Sequence, residues 1–390
     1  MKEVRTQRRA VCPMSMNLSQ IPSPCFVLDE ARLQTNLALL RRVQEETGAK
    51  IILALKGFAF FHAFDLVREY LPGCTASSLY EAQLARETFE GEVHVCAPVY
   101  LEGEMRDIVQ HASHITFNSL SQWEHFKTVL PPQGVSAALR INPEHAEVET
   151  ALYNPASIGS RLGVTADELG PHLPDGIEGL HFHTLCECGA DALERTLAVV
   201  EAKFGGLLKQ ARWLNMGGGH LITRDGYDVD LLIRLIHDVR ARYDVEVILE
   251  PGAAVAWRTG VLTATVIDRV ERRGVRTLML DVSFTAHMPD CLEMPYKPDV
   301  RGARDPEPGE SGWRLGGMSC LAGDVVGDYV FEEEPVVGQR IVFEDMMHYT
   351  MVKTTMFNGV PHPSFGIWRR NGTFDVVRRF SYDDYRSRLG

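Results

Sequence analysis

Residues 51–60 read IILALKGFAF, a run of aliphatic side chains that ends on a lysine. Ile51 to Leu55 show no polar alternation, the pattern of a strand covered on both faces in a parallel sheet. Lys56 therefore stands at the carboxyl end of a buried strand. Taken alone, such a lysine ends the strand and carries its ammonium to water. Whether it does more depends on what the other strands bring to the same end.

Seven further runs have this texture: CTAS, VHVCAPV, HITFNS, SAALRIN, IEGLHFH, WLNMGG and EVILEP. Between them FFHAFDLVREYL, LYEAQLARETF, LERTLAVVEAKFGGLLKQ and DVDLLIRLIHDVRARY repeat apolar residues three and four apart, as amphipathic helices do. Eight strand and helix units over about 200 residues predict an α/β fold, a (β/α)8 barrel rather than an open doubly wound sheet. After Pro251 the texture changes. GVLTATVIDRVERRG, VRTLMLDVSF and QRIVFEDM read as strands without intervening helices, a C-terminal all-β domain. The loop KPDVRGARDPEPGESG inside it reads as a mobile segment or surface insertion.

The 390 residues are 45% hydrophobic and 24% charged, an ordinary soluble globular composition. A net charge of −12 argues against nucleic acid and anionic membranes as partners, since both need a basic face. No apolar run approaches the roughly 18 residues of a membrane span. Lys2, Arg5, Arg8 and Arg9 precede no apolar segment of the secretory kind, and residues 1–16 read as a mobile extension. Cysteines at 12, 25, 74, 96, 186, 188, 291 and 320 have no disulfide-like spacing and point to a reducing cytoplasm. HFHTLCEC, from His181 to Cys188, matches no zinc spacing, so no metal is expected.

In such a barrel the carboxyl ends of the strands converge on one face. Lys56, Arg140, His183, the triplet Gly217, Gly218 and Gly219, and Glu250 should therefore look into one cavity. Consecutive glycines let backbone amides approach an oxyanion closely. Singly, His183 reads as a core histidine, Glu250 as the close of a turn before Pro251, and the glycines as a flexible turn. Together, a lysine, an imidazole, an anion nest and an acid suit pyridoxal 5'-phosphate. The lysine can hold its aldehyde, the imidazole can stack on its ring, and the carboxylate can keep the pyridine nitrogen protonated.

PSPCFVLDEARLQTNL, ALKGF, ASSLYE, LRINP, SRLG, HFH, NMGGGH, LEPG, SCLAGD and HYTMVKTTMFNG follow one another across nearly the whole chain. In that order the sequence resembles the fold type III, alanine racemase-like pyridoxal phosphate decarboxylases, the family of the ornithine and diaminopimelate enzymes. HFHTLCE, HMPDCLEMPYKP and SCLAGD are most similar to its branch acting on carboxynorspermidine and carboxyspermidine. The resemblance implies a barrel over 29–255, an N-terminal segment 17–28 joined to the β domain, and a β domain over 256–390. It implies that Lys56 carries the cofactor, His183 stacks on it, and Glu250 pairs with its ring nitrogen. Gly217, Gly218 and Gly219 would hold the phosphate with Tyr349, and Ser78 and Arg140 would lie near the cofactor. A homodimer would share its active sites, Cys320 serving the partner's site as a catalytic thiol and Arg161 pairing with Asp324 across the interface. Asp290 and Glu293 would meet the distal ammonium groups of a polyamine substrate, and the products would be norspermidine or spermidine, a step in polyamine biosynthesis. Three positions depart from the ornithine pattern: Ala253 replaces an arginine on the phosphate, Leu321 an acid, and Cys186 a serine. The rival readings are a decarboxylase of diaminopimelate, ornithine or arginine, an amino-acid racemase, and a catalytically silent homologue.

Overall fold

The computed structural model describes residues 16–130, 134–148 and 150–390. The chain divides into two compact units, one made of Arg32–Arg258 with Met347–Lys353, the other of the remaining segments. In chain order β1 (Cys25–Asp29) belongs to the second unit, and the first begins with β2 (Lys50–Ile51) and β3 (Leu53–Ala54). It continues through β4 (Gly73–Ala76), β5 (Glu92–Cys96), β6 (His114–Phe117), β7 (Ser136–Arg140), β8 (Ile177–His181), β9 (Trp213–Asn215) and β10 (Glu246–Leu249).

These nine segments form one parallel sheet in the order β2-β10-β9-β8-β7-β6-β5-β4-β3. The opening run is a single stretch that changes partners: Lys50 and Ile51 pair with β10, and Leu53 and Ala54 with β4. At the change, Ile52 N–H still donates to Leu249 O at 2.9 Å, while Leu55 N–H already donates to Thr75 O at 3.1 Å. The sheet thus returns on itself as a barrel of eight staves. Its helices follow the periodicity of the sequence: Ala190–Leu208 buries Leu193, Leu197, Val200 and Phe204 along one face. Helix Val229–Tyr243 starts where Asp228 accepts from Leu231 N–H and stops at Asp244, which adopts a left-handed φ of 56°. Within FFHAFDLVREYL only Phe64–Arg68 is α-helical, preceded by a 3-10 turn over Phe61–Ala63, and Pro72 keeps helical backbone from running on through Leu71.

The barrel interior is packed. Ile52, Ala138, Trp213 and Ile248 form a buried cluster, and the Trp213 indole lies against Gly179. Trp213 Nε1 donates to Ser136 Oγ at 2.9 Å, which donates to Glu178 at 2.6 Å. At the amino-terminal ends of the strands, Lys50 Nζ stands 3.0 Å from Glu92 and 3.0 Å from Glu246, beside the stacked rings of His94 and His114.

The second unit is built on a sheet in the order β13-β15-β14-β12-β11-β1-β17-β18, with β16 also on β11. Its strands are β11 (Gly260–Arg272), β12 (Val275–Leu280), β13 (Ala303–Arg304), β14 (Trp313–Gly316), β15 (Val325–Phe331), β16 (Arg340–Glu344), β17 (Ser364–Trp368) and β18 (Phe374–Arg378). β1 lies in its middle, antiparallel to β11 and parallel to β17. Met16, Ile21, Cys25, Val27, Val261 and Val342 form the core there. Met16 is thus buried structure rather than mobile extension, and residues 1–15 lie outside the described residues. Two short helices, Phe284–His287 and Pro289–Glu293, interrupt what the sequence presented as all-β. The Pro-rich insertion is tied down: β13 pairs with β15, Tyr329 OH donates to Pro298 O at 2.7 Å, and Arg304 grips Glu310 with two nitrogens. Residues Met347–Lys353, which the sequence reading placed in the β domain, group with the barrel. No helix among the described residues is long and apolar enough to cross a membrane.

A Cβ at Gly179 would stand 2.1 Å from the Trp213 ring. Gly179→Val must therefore displace the indole and its bond to Ser136. It should cost about 3 kcal/mol, the upper range for overpacking a core. Thermal unfolding measures this, and an unchanged midpoint would show that the barrel floor can yield.

Candidate active site

Each strand of the barrel ends at one mouth, and two adjoining cavities open there. The larger, about 410 Å³, is lined by Lys56, Cys96, Arg140, His181, His183 and Glu250 among others. The smaller, about 210 Å³, shares Lys56, His183 and Glu250 and adds Gly218, Gly219 and Tyr349. Lys56, Arg140, His183, Glu250 and Tyr349 are therefore brought together. Sequence reasoning passed over His181, Cys96, Asn215, Ser77 and Tyr153. The first three are the last residues of β8, β5 and β9, so their place on the strands could have found them.

Lys56 Nζ lies 3.3 Å from His183 Nε2. The other ring nitrogen, Nδ1, accepts the Gly218 N–H at 2.9 Å, which leaves the proton of a neutral imidazole on Nε2, facing the amine. Burial, then the charge of Lys56 and Arg140, holds His183 well below the usual imidazole range. The Lys56 side chain is accessible, but to this cavity, and loss of bulk water followed by repulsion from Arg140 lowers its pKa. Both effects favour the neutral amine, the form imine chemistry requires. Arg140 is buried and donates to His183 O at 3.2 Å, fixing the backbone beside the ring.

Glu250 is 7% exposed. Its Oε1 accepts from Asn215 Nδ2 at 2.7 Å, and its Oε2 lies 3.5 Å from His181 Nε2. Burial would raise this carboxyl, yet the contact and charge of His181, with His94 and Asn215, bring it down to about 2. It is an anion inside the barrel. Only part of the glycine triplet reaches the cavities. Gly217 does not line either cavity, and its N–H donates to Asn215 Oδ1 at 2.8 Å. Gly218 spends its N–H on His183. All three positions must be glycine for close packing, since a Cβ would come within 2.4 Å of Phe182 O, 2.4 Å of Glu250 O and 2.0 Å of Leu185 O respectively.

Other expectations need correction. Ser78 is the N-cap of helix Leu79–Thr88, accepting from Glu81 N–H at 3.2 Å, and it is Ser77 that lines the cavity. Arg161 also lines the larger cavity. Asp324 is 3% exposed, and its oxygens accept from Thr285 N–H and Ser319 N–H at 3.0 Å each. A carboxylate so committed organises its own loop. Cys320, on that loop, is exposed, and its N–H donates to Asn358 Oδ1 at 2.9 Å. Asp290 is buried and accepts from Tyr296 OH at 2.7 Å, whereas Glu293 is exposed. Ala253 lines the smaller cavity, where Lys56 is the only lysine or arginine among the described lining residues. His181, His183, Cys186 and Cys188 do not converge on a common point. The described residues whose ligand atoms do converge are Glu92, His94 and His114, at the opposite end of the strands, where Lys50 already neutralises Glu92.

An amine shifted toward its neutral form, a buried anion and a polar two-lobed cavity lined by both fit a cofactor that carries an aldehyde and a basic ring nitrogen. Residues 25–347 match the family model described as pyridoxal-dependent decarboxylase, C-terminal sheet domain, and the chain belongs to that family. It is a carboxy-lyase that works with pyridoxal phosphate. The chain is similar to carboxyaminopropylagmatine decarboxylase of Synechocystis sp., 55% identical over 96% of this chain and 97% of that protein. It is 44% identical to carboxynorspermidine/carboxyspermidine decarboxylase of Campylobacter jejuni, covering 96% of this chain and all (100%) of that one. The crystal structure of carboxynorspermidine decarboxylase from C. jejuni, complexed with norspermidine, matches with a TM-score of 0.87 at 43% identity, over 94% of this chain and 100% of that one. Diaminopimelate decarboxylase from Helicobacter pylori, 16% identical with a TM-score of 0.79 over 95% of this chain and 98% of that one, shares the fold.

Glu250→Gln keeps the volume but removes the charge. The variant should still take up cofactor and lose roughly hundredfold or more in kcat, the scale of a lost acid–base partner. Measured kcat within a factor of two of the parent would reduce Glu250 to a structural residue.

Proposed function

We propose that this chain removes carbon dioxide from an N-(3-amino-3-carboxypropyl) polyamine, carboxynorspermidine or carboxyspermidine, giving norspermidine or spermidine. The observation that carries this reading is the Lys56 amine held against neutral His183 with anionic Glu250 in the same cavity. Likeness to the C. jejuni enzyme over the full chain supports the polyamine substrate. Bound at Lys56, pyridoxal 5'-phosphate supplies a ring that accepts the electron pair left when the carboxylate departs. Glu250 would hold the proton on the ring nitrogen that makes the ring an acceptor. His183 would cover one face of the ring, and Gly218, Gly219 and Tyr349 would hold the phosphate. Arg140 and Ser77 close the other lobe.

The reaction ends when a proton reaches the substrate's α-carbon, and a positioned acid must deliver it there before it goes elsewhere. Cys320 of a second subunit is that acid in our reading, and Asp290 and Glu293 of that subunit face the ammonium tail. A homodimer is supported by the barrel mouth itself. Tyr80, Val99, Leu101, Leu152 and Ile158, on the loops and helix start that follow β4, β5 and β7, are 78%, 67%, 61%, 70% and 90% exposed, an apolar rim that a second copy would cover. The free state of every described cysteine agrees with a reducing cytoplasm. A second reading shares the same head group and changes the tail. The 55% identity to carboxyaminopropylagmatine decarboxylase favours a guanidine in place of the terminal amine.

Carbon dioxide release should be measured with carboxynorspermidine, carboxyspermidine, carboxyaminopropylagmatine, diaminopimelate, ornithine and arginine. Turnover of carboxy-polyamines far above the three amino acids is expected. A preference for any of those three overturns the proposal. The two triamine substrates should differ little, because one methylene is worth only about 1 to 3 kcal/mol in an apolar pocket.

Lys56→Ala should abolish turnover together with the borohydride-fixed cofactor on the peptide that carries residue 56. Fixation on another lysine would move the attachment site. Inactive Lys56→Ala and Cys320→Ala chains, mixed under conditions that allow subunit exchange, should regain some decarboxylation, since a mixed dimer assembles one complete site. A mixture that exchanges and stays inactive rules out the shared site.

A further inference from the structure

β7 ends on Arg140, and the chain that leaves it comes back to the same place. Val164 N–H donates to Arg140 O and Asn142 N–H to Val164 O, both at 2.8 Å, so the excursion after β7 is closed at its base. Asn118, buried just after β6, pins the return: its Nδ2 donates to Arg161 O and its Oδ1 accepts from Gly163 N–H, both at 2.8 Å. Gly163 has a left-handed φ of 85°, and a Cβ there would stand 3.2 Å from Arg140 Cγ. The backbone that carries Arg161 therefore lies against the Arg140 side chain, and both arginines line the larger cavity.

Neither guanidinium has a carboxylate. Arg140 is 8% exposed and forms a single side-chain hydrogen bond among the described residues, from Nη2 to the His183 carbonyl, which leaves most of its donors unused. Arg161, exposed at the rim, makes no side-chain hydrogen bond or ion pair among the described residues. Glu250 is the one acid among the described residues lining this cavity, and its oxygens are turned to Asn215 and His181. Burying a guanidinium without a counter-ion is costly, and here two cations share a cavity with no acid paired to either.

We propose that Arg140 and Arg161 form the seat of the carboxylate that the substrate loses, with Arg161 recognising it from the rim, a refinement that rests on the carboxy-polyamine reading given above. Such a substrate carries one anion and several cations. The larger cavity offers guanidinium to the anion and no unpaired carboxylate to the cations, so charge sets the acid head inward and the ammonium tail outward. A guanidinium meets a carboxylate with paired N–H donors, which suits it to this task better than an ammonium. The cofactor's phosphate does not compete for the seat, because neither arginine lines the smaller cavity with Gly218, Gly219 and Tyr349. Burial disfavours the Arg140 cation, the Arg161 charge disfavours it further, and a carboxylate between them offsets both. Carbon dioxide is neutral, so the seat holds the substrate and has no grip on what leaves. Its effect falls on affinity more than on the chemical step.

The test compares a substrate with its own decarboxylated product on the holoenzyme, so that the tail cancels. With carboxynorspermidine and norspermidine, Arg161→Gln should raise KM by about tenfold or more, the scale of a lost charge-assisted hydrogen bond, and leave the inhibition constant of norspermidine within about twofold of the parent. Arg161→Lys keeps the charge but not the paired donors, and should recover part of the difference. The absorbance of the bound cofactor should be the same in Arg161→Gln and the parent, because this guanidinium meets the substrate. Substrate and product weakened alike, or neither weakened, overturns the proposal. A shifted cofactor absorbance also overturns it, by placing Arg161 on the cofactor. So does a smaller assembly in sedimentation with the ratio of KM to inhibition constant unchanged, which would place Arg161 on Asp324 of the partner subunit. If another carboxylate is preferred in the substrate panel, the same comparison with its own product still tests the seat, so a wrong tail and a wrong seat are told apart.

Discussion

Closure of the parallel sheet is the constraint on which the site depends. One short stretch, residues 50–55, hydrogen-bonds to the β10 side through Ile52 and Ala54 N–H, which donate to Leu249 O and Pro251 O, and to β4 on the other side, where Leu55 N–H donates to Thr75 O. An open sheet would leave Lys56 at an edge. Closed, the sheet sets Lys56 between the ends of β10 and β4, 3.3 Å from His183, with Glu250, the residue after β10, lining the same cavity. The loss of regular pairing at Ile52 is small beside the gain of a sheet without edges.

The second constraint is charge. A carboxylate withdrawn from water is costly unless donors face it. The chain meets this with residues whose own positions are fixed by the glycines: Gly217 turns Asn215, and Gly218 turns His183. The triplet thus acts first on protein groups, by orienting one amide and one imidazole, and only through Gly218 and Gly219 does it line the cavity. Absence of side chains there lets strands β8, β9 and β10 approach closely enough for both bonds to form. The Ala253 position, where an arginine is found in the ornithine enzymes, leaves the smaller cavity with little positive charge and puts more of its polar lining on His183, Tyr349 and backbone.

Much of the site could be read from the chain because its residues end strands. Lys56 after IILAL, His183 after IEGLHF and Glu250 after EVIL are each placed by a buried apolar run, and a parallel barrel sends all strand ends to one face. Where a residue sits beyond the strand, reading failed by a single step. Ser77 and Ser78 are adjacent serines, and only the start of helix Leu79–Thr88 decides that Ser78 caps it while Ser77 faces the cavity. The resemblance pairs Asp324 with Arg161 of another subunit, and the structure adds that its carboxylate is buried and accepts from two backbone N–H groups of its own unit. Spacing along the chain carries no signal for that burial.

The sequence by itself determined the alternation of strands and helices, the change to a strand-rich second unit, and the lysine and acid at strand ends that line one cavity. These follow from local periodicity and from side-chain chemistry that tolerates few substitutes. Tertiary structure alone decided the rest: the partner switch at Ile52, the burial of Met16 in the second unit's core, and the row of Arg140, His181 and Asn215 across β7, β8 and β9. Each of these depends on register between segments far apart in the chain, where a shift of one residue would turn His181 away from Glu250. Contacts between distant segments set that register, and no local pattern encodes it.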